Sequence, residues 1–440
     1  MSPELLWTSL SLATRTAGQF LLTVAAVTCW MPETNGLWFN FLSLGGMVQL
    51  LDMGLSAAVL RCASHLHTGV QELRAHGVSG ALNEEPNLAG LKALLATTRI
   101  IYVGLSTAVM VSGVLLAQTV FRSMTDEISR LALVLFMTGS ALQLMSSQRY
   151  NFMQGVGKLA QAQKLQALGL AIMYGATAIA LIVSKSLLWT CATFAVGALI
   201  QLVIYEIQLG GYAGGRHDGA LLGAFWPNTW RTGLSRLAAA AIYQLPTLII
   251  SATAGVVIGG SYGFTVQICL FICAIAQLPL TAVFPKLNEL AARGSLSELK
   301  RLFFKKTVQM MGIFILLGIL LVLWGQGCLT LIHAKAKLQA GAALIGLIAF
   351  FFAENNRSNH MYIVGAFNRY PFWKYDLISA AAILIGCGEA LHLGGTAGVV
   401  LWLWAVQLCW NFWWPIKRSL AELKMTWGEY WGALGGSFSE

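Results

Sequence analysis

Residues 340–367 read AGAALIGLIAFFFAENNRSNHMYIVGAF. An apolar run from Ala340 to Ala353 and an apolar stretch from Met361 to Phe367 flank seven consecutive polar residues, Glu354-Asn355-Asn356-Arg357-Ser358-Asn359-His360. As a helix rising 1.5 Å per residue, the segment is long enough to cross the roughly 30 Å hydrocarbon core of a bilayer. At about 100° per residue, Asn356, His360, Arg357 and Glu354 cover one broad arc and Asn355 with Asn359 cover much of the remainder. No such surface can face acyl chains, so the helix either lines a wet cavity or is enclosed in a polar network between helices.

The rest of the chain is built the same way. Of 440 residues 57% are hydrophobic and 10% charged, with a mean hydropathy of +0.68. Too few charges remain to solvate a water-soluble globule of this size, which excludes a soluble enzyme. The 45 glycines against 9 prolines suit spanning helices. Windows of about twenty apolar residues fall near 5–30, 37–62, 93–121, 128–151, 165–184, 187–207, 231–255, 260–285, 307–332, 338–367, 374–392 and 395–416. The expected fold is therefore an all-α polytopic membrane protein of about twelve transmembrane helices.

Orientation follows from the 28 lysines and arginines, because cytoplasmic loops carry the excess. With the N-terminus inside, only Arg122, Arg130, Lys185, Lys335 and Lys337 fall outside, and Arg15 and Arg357 lie within spans. Both termini are expected in the cytoplasm. The opening MSPELL lacks a basic region and a cleavage site and reads as part of the first span rather than a signal peptide.

Several functions drop out. The connections are too short for an appended catalytic domain, so no enzyme is expected. Gln154-Gly155-Val156-Gly157-Lys158 lacks the first glycine and the Ser/Thr of a phosphate-binding loop. The basic residues form no stripe, so nucleic acid is not a partner. Eight cysteines without a CxxC pair read as apolar packing residues, and a lone His65/His67 pair does not make a metal site. No cofactor is implied.

Phe152-Met153-Gln154-Gly155 up to Lys164 resembles Tyr362-Ile363-Val364-Gly365 up to Lys374, each with a nine-residue step from glycine to lysine. The repeat divides the chain into six-helix lobes at 1–207 and 231–416, a cytoplasmic linker at 208–230 and an interfacial tail at 417–440. Six is even, so the lobes would share one orientation about a pseudo-twofold axis along the membrane normal. Residues 286–306 read as a basic, partly amphipathic segment, and in the tail Leu420, Leu423, Trp427 and Trp431 repeat at helical spacing.

Charges inside spans cost about 2.5–3.5 kcal/mol each on insertion scales and therefore mark partners or wet cavities. Arg15 and Asp52 lie at similar depth in the first two spans, either as an ion pair with each other or with Arg15 facing substrate. Arg357 lies at nearly that depth, whereas Arg149 and Arg236 sit near inner span ends, where snorkelling also accounts for them. Guanidinium groups hold phosphate bidentately and stay ionised when desolvated. Arg15, Arg149, Arg236 and Arg357 are thus candidates for an anionic substrate. Asn356, Asn359 and His360 are candidates for its hydroxyls, and Asp52 and Glu354 for ion coupling or charge balance. Pro246, Pro279 and Pro285 allow bending in spans seven and eight.

Leu50-Leu51-Asp52-Met53-Gly54-Leu55-Ser56 followed by Arg61, Ser261-Tyr262-Gly263, and Phe284-Pro285-Lys286-Leu287 followed by Arg293-Gly294 and Leu299 give the chain its family likeness. With the two-lobe plan, it resembles the multidrug/oligosaccharidyl-lipid/polysaccharide (MOP) exporter superfamily, and within it the polysaccharide-biosynthesis (Wzx-like) flippases. The resemblance implies alternating access that carries an undecaprenyl-pyrophosphate-type lipid-linked oligosaccharide across a bacterial inner membrane. It also implies membrane lipids, a polysaccharide polymerase and a chain-length regulator as partners. The sister branch, cation-coupled multidrug antiporters, favours an acidic cavity, whereas the first span here offers Arg15 and no carboxylate.

Overall fold

A computed structural model describes residues 3–52, 54–70, 72–73, 78–79, 85–123, 125–367 and 371–435. It is all-helical apart from one two-residue antiparallel ladder pairing Glu72–Leu73 with Val78–Ser79. The chain divides into two units, Met1–Ala240 and Ala241–Glu440. Among the described residues nine helices are long and apolar enough to cross a membrane.

The first unit holds α1 (Pro3–Cys29), α2 (Pro32–Leu50), α3 (Leu55–His67), α4 (Leu88–Gln118), α5 (Glu127–Gly155), α6 (Leu159–Ser184) and α7 (Leu187–Gln208). The predicted second span is two helices, not one. The chain breaks after Leu50 and restarts from Gly54, whose φ of 75° is left-handed, a conformation that costs other residues. α5 lies at the centre, packed on α2, α3, α4 and α7. Its Phe136 stacks on Phe194 of α7 at 5.1 Å and meets Trp38 of α2 at 5.7 Å. Gly139 permits that approach, because a Cβ there would lie 2.6 Å from the Phe194 ring.

α8 (Gly219–Ala254) crosses the division between the units, and with a short 3-10 turn at Gly210–Tyr212 it occupies much of the predicted 208–230 linker. The second unit continues with α9 (Val256–Thr281), α10 (Phe284–Arg293), α11 (Leu296–Leu331), α12 (Gly341–Ala366), α13 (Trp373–Cys409), α14 (Trp414–Glu422) and α15 (Trp427–Leu434). Pro279 sits inside α9, whereas Pro285 opens α10, where its missing N–H has no helical partner to lose. The basic segment 286–306 is partly α10 and partly the first turns of α11. α13 is kinked at Gly394 and Gly395, the latter with φ 59°, where the sequence separates the eleventh and twelfth spans.

The tail departs from its predicted stripe. Leu420 and Leu423 are buried but Trp427 and Trp431 are exposed, and Tyr430 and Ala433 point inward instead. The chain turns between α14 and α15 at Lys424, φ 51°, so the two halves of the stripe lie on different helices. Residues from α10, α11, α12, α14 and α15 share one apolar cluster that includes Leu287, Phe303, Phe304, Ile363, Leu420 and Tyr430.

Candidate functional site

The polar run of α12 splits by helical face. Glu354 and Arg357, one turn apart, form a buried ion pair with Nε to Oε2 at 2.9 Å. Arg357 Nη1 also donates to Asp376 Oδ1 of α13 at 3.0 Å. Tyr243 of α8 donates to Glu354 Oε2 at 2.5 Å and accepts from Arg357 Nη2 at 3.4 Å. Gln407, beyond the α13 kink, donates to Glu354 Oε1 at 2.7 Å. Both kinked arms of α13 thus close on the same charge network. Exposures of 2% for Arg357, 3% for Glu354 and 0% for Asp376 put it out of reach of solvent, and such an arrangement persists only with its partners in place.

The other face of the run packs on protein rather than lining open space. Asn355 donates to Met310 Sδ at 3.0 Å and accepts from Gln277 at 2.5 Å. Asn356 donates to the Tyr430 hydroxyl at 3.4 Å. His360 Nδ1 meets Ser419 Oγ at 2.5 Å, and its ring lies against Phe303 and Tyr430. Asn359 is fully buried. Of the two readings the sequence leaves, cavity lining and a packed polar network, these contacts match the second, with the tail helices packed on this face.

In the first unit Arg149 does not snorkel. It is 2% exposed and reaches Glu206 of α7 through Nε at 2.8 Å and Nη2 at 2.7 Å, while Arg99 of α4 binds the second Glu206 oxygen. Asp52 does not pair with Arg15. It accepts from Ser56 N at 3.2 Å, Ser56 Oγ at 2.7 Å and the Tyr102 hydroxyl. A short side chain just ahead of α3 therefore satisfies the first turn after the helix break.

Arg15 is exposed on α1 and has no carboxylate partner among the described residues. Its charge is within reach of the Tyr150, Tyr174 and Tyr205 phenols of α5, α6 and α7. Gly18, one turn on, lets Tyr174 approach, because a Cβ there would lie 2.4 Å from its ring. Around these phenols runs a set of amides. Gln166 accepts from Tyr205 at 2.7 Å and from Gln201 at 3.3 Å. The side chain of Arg236 lies outside the described residues.

Three charged partners escaped the sequence reading: Arg99, Glu206 and Asp376. Each sits near the inner end of a predicted span and there resembles a loop charge. Asp376 in particular follows Lys374 closely. Among the described residues no group of three or more His, Cys, Asp or Glu could hold a metal ion.

No protein-family profile matches the sequence, and no curated protein matches it. The fold, however, is that of multidrug-resistance MATE family transporters of the MOP superfamily. One, in an inward-facing conformation, matches with a TM-score of 0.73 at 12% identity over 93% of this chain and 96% of its own. An outward-facing structure of such a transporter matches at 0.60 and 12% identity, over 97% and 98%. A MATE protein in complex with MaD3S matches at 0.61 and 12% identity, over 97% and 98%.

Proposed function

We propose that this chain is a multi-pass membrane transporter, not an enzyme, that moves an amphiphilic substrate by alternating access of its two lobes. The match to MATE transporters across almost the whole chain supports that reading. Two substrate classes follow, each with its own support. Export of drug-like compounds coupled to a cation gradient is what the fold neighbours favour, since the MATE structures are described as multidrug resistance transporters. Translocation of a polyprenyl-pyrophosphate-linked oligosaccharide across a bacterial inner membrane rests on one observation in this chain. Arg15 is an exposed guanidinium at membrane depth without a carboxylate partner among the described residues, set among phenols and amides.

An arginine there cannot face acyl chains and must meet water or an anion. Phosphate suits it, and the neighbouring phenols suit hydroxyls. In this reading Arg149 and Arg357 hold the lobes in shape, because their donors are spent on Glu206, Glu354 and Asp376. Asn356 and His360 brace α12 against the tail.

Reconstitution into liposomes separates the readings. If the substrate is a lipid-linked oligosaccharide, its glycan becomes accessible on the opposite face, Arg15→Ala abolishes that flipping and Arg15→Lys restores part of it. Drug-driven proton or sodium exchange that ignores Arg15→Ala, without glycan flipping, assigns the chain to multidrug export.

A further inference from the structure

The C-terminal helices join two surfaces of opposite character. On the inner side α14 and α15 engage α12 through Ser419 to His360 and Tyr430 to Asn356. Leu420, Leu423, Tyr430 and Ala433 also join the apolar cluster that includes Ile363 of α12, but the polar part of the junction is incompletely satisfied. Asn356 Oδ1, both polar atoms of the Asn359 side chain and His360 Nε2 are buried without a hydrogen-bond partner among the described residues. Unpaired buried groups weaken a closed state relative to one in which water reaches them, so the polar part of this contact offsets some of the apolar packing and leaves the seating of the pair open to support from outside.

The outer side shows what could hold it. Trp427 and Trp431, one turn apart on α15, are 43% and 65% exposed and point away from the buried Tyr430 and Ala433. Lys300 of α11 reaches the turn ahead of α15 and donates to the Lys424 carbonyl at 3.4 Å; Arg301 and Lys424 are exposed, as is the Glu429 carboxylate, which lies between the two indoles in sequence. Indole rings settle at the headgroup level, and clustered Lys and Arg are drawn to anionic lipid.

We propose that α14 and α15 form an anionic-lipid-binding clasp, in which headgroups held by Lys300, Arg301 and Lys424 with Trp427 and Trp431 keep the helix pair seated on the polar inner end of α12. The occupant is the headgroup layer of the membrane that the chain spans, because charge and indoles together match that layer. This inference does not depend on which substrate is carried.

Amide hydrogen exchange on the full-length protein in nanodiscs tests it, comparing phosphatidylcholine alone with phosphatidylcholine containing phosphatidylglycerol. Anionic lipid is expected to slow exchange across Trp414–Leu434 and the inner end of α12 about tenfold or more, and high salt to remove the difference by screening. Lys300→Gln, Arg301→Gln and Lys424→Gln together are expected to abolish the lipid response, with unchanged protection of α5 and α9 reporting an intact fold. Equal exchange in the two lipids overturns the proposal, as does a lipid response that survives both high salt and the triple substitution.

Discussion

Arg357 shows how a single side chain acquires its cost and its purpose. Its guanidinium is matched to two carboxylates on two helices and to the Tyr243 hydroxyl, a fork that a point charge cannot reproduce. Arg357→Ala leaves Glu354 and Asp376 buried without their cation and is expected to destabilise the protein by about 3–5 kcal/mol. Arg357→Lys keeps the charge but loses part of the fork and should fall between that variant and wild type. Thermal unfolding of both variants in detergent measures the order, and wild-type stability in Arg357→Ala would show that the triad does not anchor α12. Glu354 and Arg357 were legible in the sequence because charges inside an apolar run cannot be loop residues. Asp376 and Glu206 were not, because at a span end the same residue types are ordinary. Which carboxylate an arginine meets depends on neighbouring helices, and no spacing along the chain encodes that.

At the scale of elements, the junctions carry the information that hydrophobic windows miss. The window at 37–62 reads as one span despite Asp52, and it hides a break at Gly54, which is in left-handed conformation. Gly54→Ala is expected to cost about 1–2 kcal/mol through backbone strain, readable as a lower midpoint in thermal unfolding. An unchanged midpoint would mean that the α2 to α3 junction relaxes. The tail stripe failed for a related reason: its spacing assumed one helix where the chain forms two. α15 begins with a capping box in which Glu429 accepts from Thr426 N at 2.6 Å and Thr426 Oγ at 3.0 Å, and Thr426 Oγ accepts from Glu429 N at 3.3 Å. The Thr426 backbone and hydroxyl donors hold the Glu429 carboxyl below the usual carboxylate range. A carboxyl whose folded value is lowered lends its stability above the ordinary carboxylate value and loses it as pH falls through the lowered one. Protection of α15 amides, taken relative to their intrinsic exchange rate at each pH, is therefore expected to fall on acidification below that range, and Glu429→Gln should flatten this dependence. A variant with the wild-type pH profile would locate the titrating group elsewhere.

For the molecule as a whole, the two lobes solve the same burial problem with opposite charge. Arg99 and Arg149 share Glu206 in one, while Glu354 and Asp376 share Arg357 in the other. The repeat at Gly155 and Gly365 suggests two lobes divided at 208–230, whereas the structure divides into units between Ala240 and Ala241. The charge inversion was invisible, since at the 210-residue offset that relates Gly155 to Gly365 the residue opposite Arg357 is Ser147. Each network closes within its own unit, and this fixes how substitutions combine. Arg149→Ala and Glu206→Ala remove opposite ends of one contact, so their double variant should fall short of the sum of the single effects by about 0.5–3 kcal/mol. Arg149→Ala and Glu354→Ala act on separate networks and should add to within about 0.5 kcal/mol. Denaturation of the single and double variants in one detergent supplies both cycles. Strong coupling in the second would mean that the charge networks communicate through the fold and are not independent scaffolds of their lobes.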